Sequence, residues 1–539
     1  MAEGVAEAGA APPPGAHRLH DPAPMATRIV FLVLLIVGVG YCGYSVHDDI
    51  QHVGEALNLA VFGLLGVALL IALGFEFVNG FHDTANAVAT VIYTNSLHPV
   101  IAVVWSGFWN FVGVITSTGA VAFAIITLLP VELILQVGSH AGYAMIFALL
   151  LAAIIWNLGT WYVGIPNSSS HALIGSIMGV GLANQLLAPS GQATSGVDWN
   201  QATNVFQALL FSPAVGFVGS LLLLLLLKLI VRAPALYQEP KRGEPPPWWI
   251  RGLLILTCTF VSFGHGGNDG QKGMGLIMLI LIGAAPTAYA LNRAMPDANT
   301  PAFLASATAA ETALAAHAAG APVVTLDQAR AELGDALRTR KVADPKVYEA
   351  ASIVSGDIAR QVGQYKSLKL VPAAATPNLR NDMYLVGDAL RLMGKAKTGF
   401  DKGTSASVKA FQGQLERGTR FIPLWVKVGV AIALGLGTMV GWKRIVVTVG
   451  ERIGKTHLTY AQGAAAEIVA AGTILAAQYY AMPVSTTHIL SSGVAGTMTA
   501  NGSGLQGGTL RNIILAWVLT LPAAILLAGS LYWLLRQIG

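Results

Sequence analysis

The chain has 539 residues, of which 54% are hydrophobic and only 11% charged, with a formal net charge of +5 and a mean hydropathy of +0.61. That composition excludes an ordinary soluble globular protein and predicts an integral membrane protein. The excess of Lys and Arg is assigned to cytoplasmic loops rather than to nucleic-acid binding. The two distant cysteines, Cys42 and Cys258, each within an apolar run, support neither a disulfide framework nor a Cys-based metal site.

Residues 1–25, rich in Ala, Gly and Pro, read as a disordered tail. An extra N-terminal transmembrane helix and its loop are expected over 26–56. It is read as retained because Tyr41-Cys42-Gly43-Tyr44 offers no small-x-small cleavage site. Further apolar segments of bilayer length lie at 57–92, 99–129, 141–164, 205–231, 252–285, 421–442, 460–480 and 511–537. Two shorter Gly-rich segments, 165–187 and 484–500, open on Pro and predict partly unwound helices. The fold class expected is an all-α polytopic membrane protein of about 12 membrane segments.

Basic residues in short loops set the orientation. Arg232, Lys241, Arg242 and Arg251 mark 232–251 as a cytoplasmic basic loop, and Lys443, Arg444, Arg452 and Lys455 mark another. Alternating crossings then put the N-terminus inside and the C-terminus outside. A first repeat runs over 57–231, and a second starts at 252–285 and resumes at 421–539. Between them, 286–420 is a polar insertion facing outward, with helix-like composition at Leu326–Lys341 and Asp344–Leu370.

Two polar motifs, each set in apolar sequence, occur twice in the same order. Gly80-Phe81-His82-Asp83-Thr84-Ala85-Asn86-Ala87 pairs with Gly266-Gly267-Asn268-Asp269-Gly270-Gln271-Lys272-Gly273. Ile165-Pro166-Asn167-Ser168-Ser169-Ser170-His171 returns as Met482-Pro483-Val484-Ser485-Thr486-Thr487-His488. In the crossing scheme the members of each pair run in opposite directions, which predicts an inverted-topology repeat with broken helices around a midplane site.

The residue types suggest the chemistry. The glycines around Asn268 and Asp269 predict open backbone amides at a helix start, favourable to an anion. The hydroxyls of Ser168, Ser169, Ser170, Ser485, Thr486 and Thr487 supply neutral donors for a tetrahedral oxyanion, phosphate or sulfate. Asp83 and Asp269 would repel that anion, so they are expected to partner a cation: a co-transported proton or sodium, or a divalent metal such as Mg2+ carried with the anion. Lys272, if buried, must pair with the anion or an Asp, and Glu76 and Glu467 are expected to serve function as intramembrane carboxylates, a partly hydrated helix break being the alternative for Glu76. For His171 and His488, a structural bond to a backbone carbonyl and proton relay both stay open. Asn110 and Asn157 are expected to be interhelical contacts. No nucleophile-base constellation or cofactor fingerprint appears, so an enzyme is not expected.

At these residues the chain resembles the PiT inorganic phosphate transporters. The blocks at 79–90 and 267–275 are most similar to the bacterial low-affinity Pit branch. The resemblance covers about 57–285 and 421–537. It implies symport of inorganic phosphate across the bacterial cytoplasmic membrane, with Asp83, Asn86, Asp269 and the two hydroxyl triplets around phosphate and coupling ions, and with Glu467 important for transport. It further implies proton coupling with phosphate carried partly as a metal complex, while Lys272, where the usual repeat has Asn, departs from the family pattern. A sulfate permease and a passive anion channel are the alternatives. Inorganic phosphate and membrane lipid are the partners expected, and a homodimer is left open.

Overall fold

The computed structural model describes residues 24–54, 57, 59–129, 131–135, 138–188, 196–240, 244–396 and 398–538. The tail expected at 1–25 falls almost wholly outside the described residues, as do Lys241 and Arg242 and the side chains of Asp83 and Asn86. Among the described residues the structure is helical, with one isolated β-bridge between Gly454 and Leu505.

The helices are α1 (Met25–His52), α2 (Leu59–Tyr93), α3 (Pro99–Thr116), α4 (His140–Tyr162), α5 (Ser169–Leu186), α6 (Trp199–Ile230) and α7 (Trp248–Ala284). Then come α8 (Thr300–His317), α9 (Leu326–Thr339), α10 (Pro345–Tyr365), α11 (Thr376–Met393) and α12 (Lys402–Thr419) of the insertion. The chain finishes with α13 (Leu424–Thr438), α14 (Tyr460–Tyr479), α15 (Thr486–Asn501) and α16 (Gly507–Leu535). Seven of them are long and apolar enough to cross a membrane: α1, α2, α3, α4, α6 from Gln201, α14 and α16. Their outward faces carry Ile36, Phe108, Phe211, Leu222, Val518 and Leu526 exposed, as a lipid-facing surface requires.

The apolar segments read from the sequence number eleven when each is counted once, of which the described helices long and apolar enough to cross a membrane account for seven. The segment 99–129 is no single helix: Gly119, at φ 86°, separates α3 from a short helix, Ala120–Ile126.

Contacts sort the loops to two ends of the bundle. At one, Arg251 Nε donates to Ser96 O (2.8 Å), Tyr93 OH donates to Glu451 Oε1 (2.6 Å) and the His457 N–H donates to Glu239 Oε1 (3.2 Å), which gathers both basic loops. At the other, Arg340 pairs with Asp198 (2.9 Å) and Arg380 donates to Ile134 O (3.1 Å), seating the insertion. Helices α9 and α10 fill the two stretches expected to be helical, and α8–α12 close over their own core around Phe303, Leu333, Val354, Leu390 and Phe411. Arg330 clamps Asp382 with two hydrogen bonds, Nε to Oδ1 (2.8 Å) and Nη2 to Oδ2 (2.7 Å).

Helices from the two halves of the chain pack reciprocally. α5 lies along α16 and α6 along α15, while α3 lies on α7 and α13 on α2. Glycines make each crossing close. A Cβ at Gly80 would meet Leu434 O and one at Gly437 would meet Phe77 O. In the same way Gly266 faces Asn110 O and Gly113 faces Phe263 O. Pro213 and Pro522 sit inside α6 and α16, which flank the two Pro-led motifs in corresponding positions.

Candidate functional site

Both Pro-led motifs interrupt the helical run. After α4 the chain turns at Gly164 (φ 73°) and restarts with Ser168 as N-cap of α5. After α14 it turns at Ala481 (φ 54°) and restarts with Ser485 as N-cap of α15. Each cap hydroxyl accepts the backbone N–H three residues on, His171 N to Ser168 Oγ (3.2 Å) and His488 N to Ser485 Oγ (3.1 Å). This satisfies one of the donors a helix start leaves open. The left-handed backbone costs Gly164 little, whereas Ala481 holds the same turn under strain.

The two breaks come from opposite ends of the bundle. Arg444 donates to Tyr162 O (2.6 Å) and Thr448 to Gly164 O (2.7 Å), which ties the first break to a basic loop. Ala481 of the second lines a cleft shared with Arg391 and Arg417 of the insertion end. They meet inside. Ser170 Oγ donates to Val484 O (2.8 Å), the rings of His171 and His488 lie 4.6 Å apart, and Trp517 stacks on His488 at 4.0 Å.

The Gly-Asp motifs correct one expectation. Gly266–Gly273 lies in the middle of the unbroken α7, and Gly80–Ala87 lies within the unbroken α2, so neither opens a helix or presents free amides. In α7 the backbone N–H groups are committed to the helix, and the glycines serve to admit neighbouring backbone and side chains. A Cβ at Gly273 would strike the Glu76 side chain, just as Gly266 faces Asn110 O. Glu76 is likewise fully buried in mid-helix rather than at a hydrated break, because the glycine opposite makes room for it.

A continuous buried polar chain links four helices. Asn79 Nδ2 approaches Glu76 Oε2 (3.4 Å), and Asn79 Oδ1 accepts from Ser169 Oγ (2.6 Å). Next door, Lys272 Nζ donates to Ser170 Oγ (2.5 Å) and pairs with Asp269 Oδ2 (2.6 Å), both side chains at 0% exposure. His265 Nε2 lies 3.7 Å from Asp269 Oδ2, and its Nδ1 meets Asn110 Oδ1 at 2.6 Å. A buried ammonium needs such partners, since leaving it alone would be prohibitively costly.

The structure thus brings Glu76, Ser168, Ser169, Ser170, Asp269, Lys272 and Ser485 into one neighbourhood. Asn268 joins it by donating to Met482 O (3.1 Å) at the second break. Thr486 and Thr487 are buried on the first turn of α15, and no hydrogen-bond partner is present for Thr486 Oγ1 among the described residues. Glu467 is elsewhere. It accepts a hydrogen bond from Thr257, twelve residues and hence about 18 Å along α7 from Asp269. His171 bonds the Ser168 hydroxyl (2.8 Å), not a backbone carbonyl. Asn110 does join α3 to α7, whereas Asn157 meets Asn167 of the first break (3.4 Å). Sequence reasoning missed Asn79 as a site residue. Its signal was a buried amide one position before Gly80 in an apolar helix, obscured because its partners Glu76 and Ser169 stand on different elements. Among the described residues no group of three His, Cys, Asp or Glu side chains is placed to hold a metal ion.

Residues 79–528, spanning both pairs of motifs, match the family model described as the phosphate transporter family, PHO4. The chain belongs to the phosphate transporter family. It is 40% identical to the low-affinity inorganic phosphate transporter PitA of Escherichia coli K12 over 90% of its own length and 99% of that protein's. It is 41% identical to PitB of the same strain, over 88% and 97%. A probable low-affinity inorganic phosphate transporter of Bacillus subtilis is 28% identical, over 87% and 96%. A solved sodium-dependent phosphate transporter aligns with 88% of this chain and 100% of its own at 19% identity and a TM-score of 0.48, a distant likeness only. Family membership and the apolar helices make this a membrane transporter and not an enzyme.

Proposed function

We propose that the chain is a secondary active symporter that imports inorganic phosphate across the bacterial cytoplasmic membrane by alternating access. The observation that carries this reading is the meeting of two helix N-termini, α5 and α15, beside the buried Lys272. Two positive dipole ends, six hydroxyls and one ammonium form a neighbourhood suited to a tetrahedral anion, and Asp269 balances the lysine while no anion is bound. On arrival phosphate takes hydroxyl and ammonium donors from their present partners. Asp83 and Asn86, carried on α2, complete the site in this reading.

The reciprocal packing of the halves, the matched glycine crossings and the breaks arriving from opposite ends support an inverted repeat in which one half rocks against the other. The domain limits read from the sequence, with the insertion at 286–420, are part of this proposal. Coupling is assigned to protons. Asp83 and Asp269 are assigned to the coupling proton in this reading, Asp269 through its pairing with Lys272, while Glu76 is joined to the hydroxyl triplet through Asn79 and Glu467 is a separate buried carboxylate. Lys272 already neutralises Asp269, so a divalent metal enters as part of a metal-phosphate complex near Asp83 rather than as an ion held by Asp269.

Radiolabelled phosphate uptake into proteoliposomes, with an imposed proton or sodium gradient, with and without Mg2+, and with excess sulfate, tests the proposal. Uptake driven by protons, raised by Mg2+, indifferent to sulfate and abolished in Asp83→Asn is expected. Entry that ignores both gradients would mean a channel, and competition by sulfate would move the assignment to a sulfate permease.

A further inference from the structure

The insertion contributes more than its own core. Where it meets the membrane helices, a cleft of about 590 Å³ is lined by Arg391, Lys395, Arg417 and Arg420 from α11, α12 and their C-terminal ends, with Glu416 as the one acid on its wall among the described residues. Arg391 is turned toward Asp388 (3.1 Å), and Arg420 toward Glu416 (3.0 Å) and the face of Phe123. Lys395 and Arg417 are exposed and, among the described residues, take part in no ion pair. The cleft therefore keeps a positive excess.

Its floor decides what that excess is for. Ala481, the strained residue of the second break, lines the cleft, and three residues on Val484 O accepts the hydroxyl of Ser170. Gln201 and Ala481 are shared with a second cavity of about 870 Å³ that runs between α6 and α14 along Met482, Pro483 and Val484. The basic cleft is thus the solvent-side end of a continuous depression leading to the segment that caps α15.

We propose that the insertion builds a second, superficial site for a phosphate oxyanion, held by Lys395, Arg417 and Arg420 at the mouth leading to the second break. The inference rests on the phosphate-transport reading of the buried core. A basic cleft with low-dielectric walls raises the local concentration of an anion and its rate of arrival, and the gain falls with ionic strength. The same oxyanion chemistry is present in an anionic lipid headgroup, whose chains would lie in the apolar cavity below.

The test uses the full chain in liposomes of phosphatidylcholine alone or with added phosphatidylglycerol. Initial phosphate uptake is measured against concentration at low and high KCl for wild type, Lys395→Glu/Arg417→Glu and the milder Lys395→Gln/Arg417→Gln. For free phosphate, charge reversal raises KM about threefold or more at low salt, with maximal rate retained, the Gln variant intermediate, and the difference closing at high salt. If the occupant is a headgroup, phosphatidylglycerol accelerates the wild type and both variants lose that response. Variants equal to wild type in both KM and lipid response overturn the site. A wild type that takes up no phosphate sinks the transport reading instead. Equilibrium binding of radiolabelled phosphate to the purified proteins then decides the cleft, with equal binding by wild type and the charge-reversed variant counting against it.

Discussion

Lys272 and Asp269 bind each other at full burial, and this pair sets the energetic stakes of the core. Removing one partner of such a pair leaves a lone charge at a cost of about 3–5 kcal/mol. Lys272→Met is therefore expected to lower the melting temperature and abolish uptake. Adding Asp269→Asn to it should restore most of the melting temperature but not the uptake, because the ammonium would still be absent from the anion's path. Thermal melts in detergent and proteoliposome uptake separate the two effects. If the double variant transports normally, Lys272 has no part in handling phosphate. Asn79, bonded to both Glu76 and Ser169, is the hinge between the first-half carboxylate and the hydroxyl triplet.

The half-helices depend on their caps. Ser485→Ala removes the acceptor for the His488 N–H, a loss of about 1 kcal/mol. The loss falls on the first turn of α15, where Thr486 and Thr487 stand, so uptake should drop by more than the small change in melting temperature suggests. Ser485→Asn, which caps equally well, should preserve stability. The insertion offers a pH-dependent counterpart. Asp401 caps α12 by accepting the Thr404 N–H (2.6 Å), and that bond holds its carboxyl below the usual Asp range. A depressed folded-state value means the cap stabilises above the ordinary Asp value of about 3.9 and is lost as pH falls through the lower folded one. The melting difference between wild type and Asp401→Asn, which caps without titrating, should accordingly change only in that acid range.

Across the whole molecule, the halves are mutually dependent: α5 lies on α16, α6 on α15, α3 on α7 and α13 on α2. Neither half buries its own crossing faces. The chain cut in the 232–247 loop and co-expressed as two pieces is expected to copurify and transport phosphate, while either piece alone should be degraded or aggregate. Independent folding of the first piece, judged by a cooperative melt, would overturn this dependence. The same packing explains why Gly80 and Gly266 sit at matched positions, since each admits a carbonyl of the helix crossing it.

What was legible in the sequence was local or periodic. Apolar runs of bilayer length, the two Pro-led breaks and the helices of the insertion follow from interactions within a few residues, and the doubled motifs place the chain in its family. The breaks were correctly placed because a proline ends a helical run locally, whereas Ser168 and Ser485 emerge as caps, each accepting an N–H three residues on, from the structure. The glycines of the Asp motifs were misread as open backbone, since nothing local tells a glycine that breaks a helix from one that lets another helix approach. Only the tertiary structure decided that Glu76 is buried against Gly273, that Lys272 reaches both Asp269 and Ser170, that Asn79 joins two helices and that Glu467 stands apart. Each of these depends on which backbones come within a few ångströms of one another, a distance set by packing between segments up to hundreds of residues apart rather than by the residues beside them in the chain.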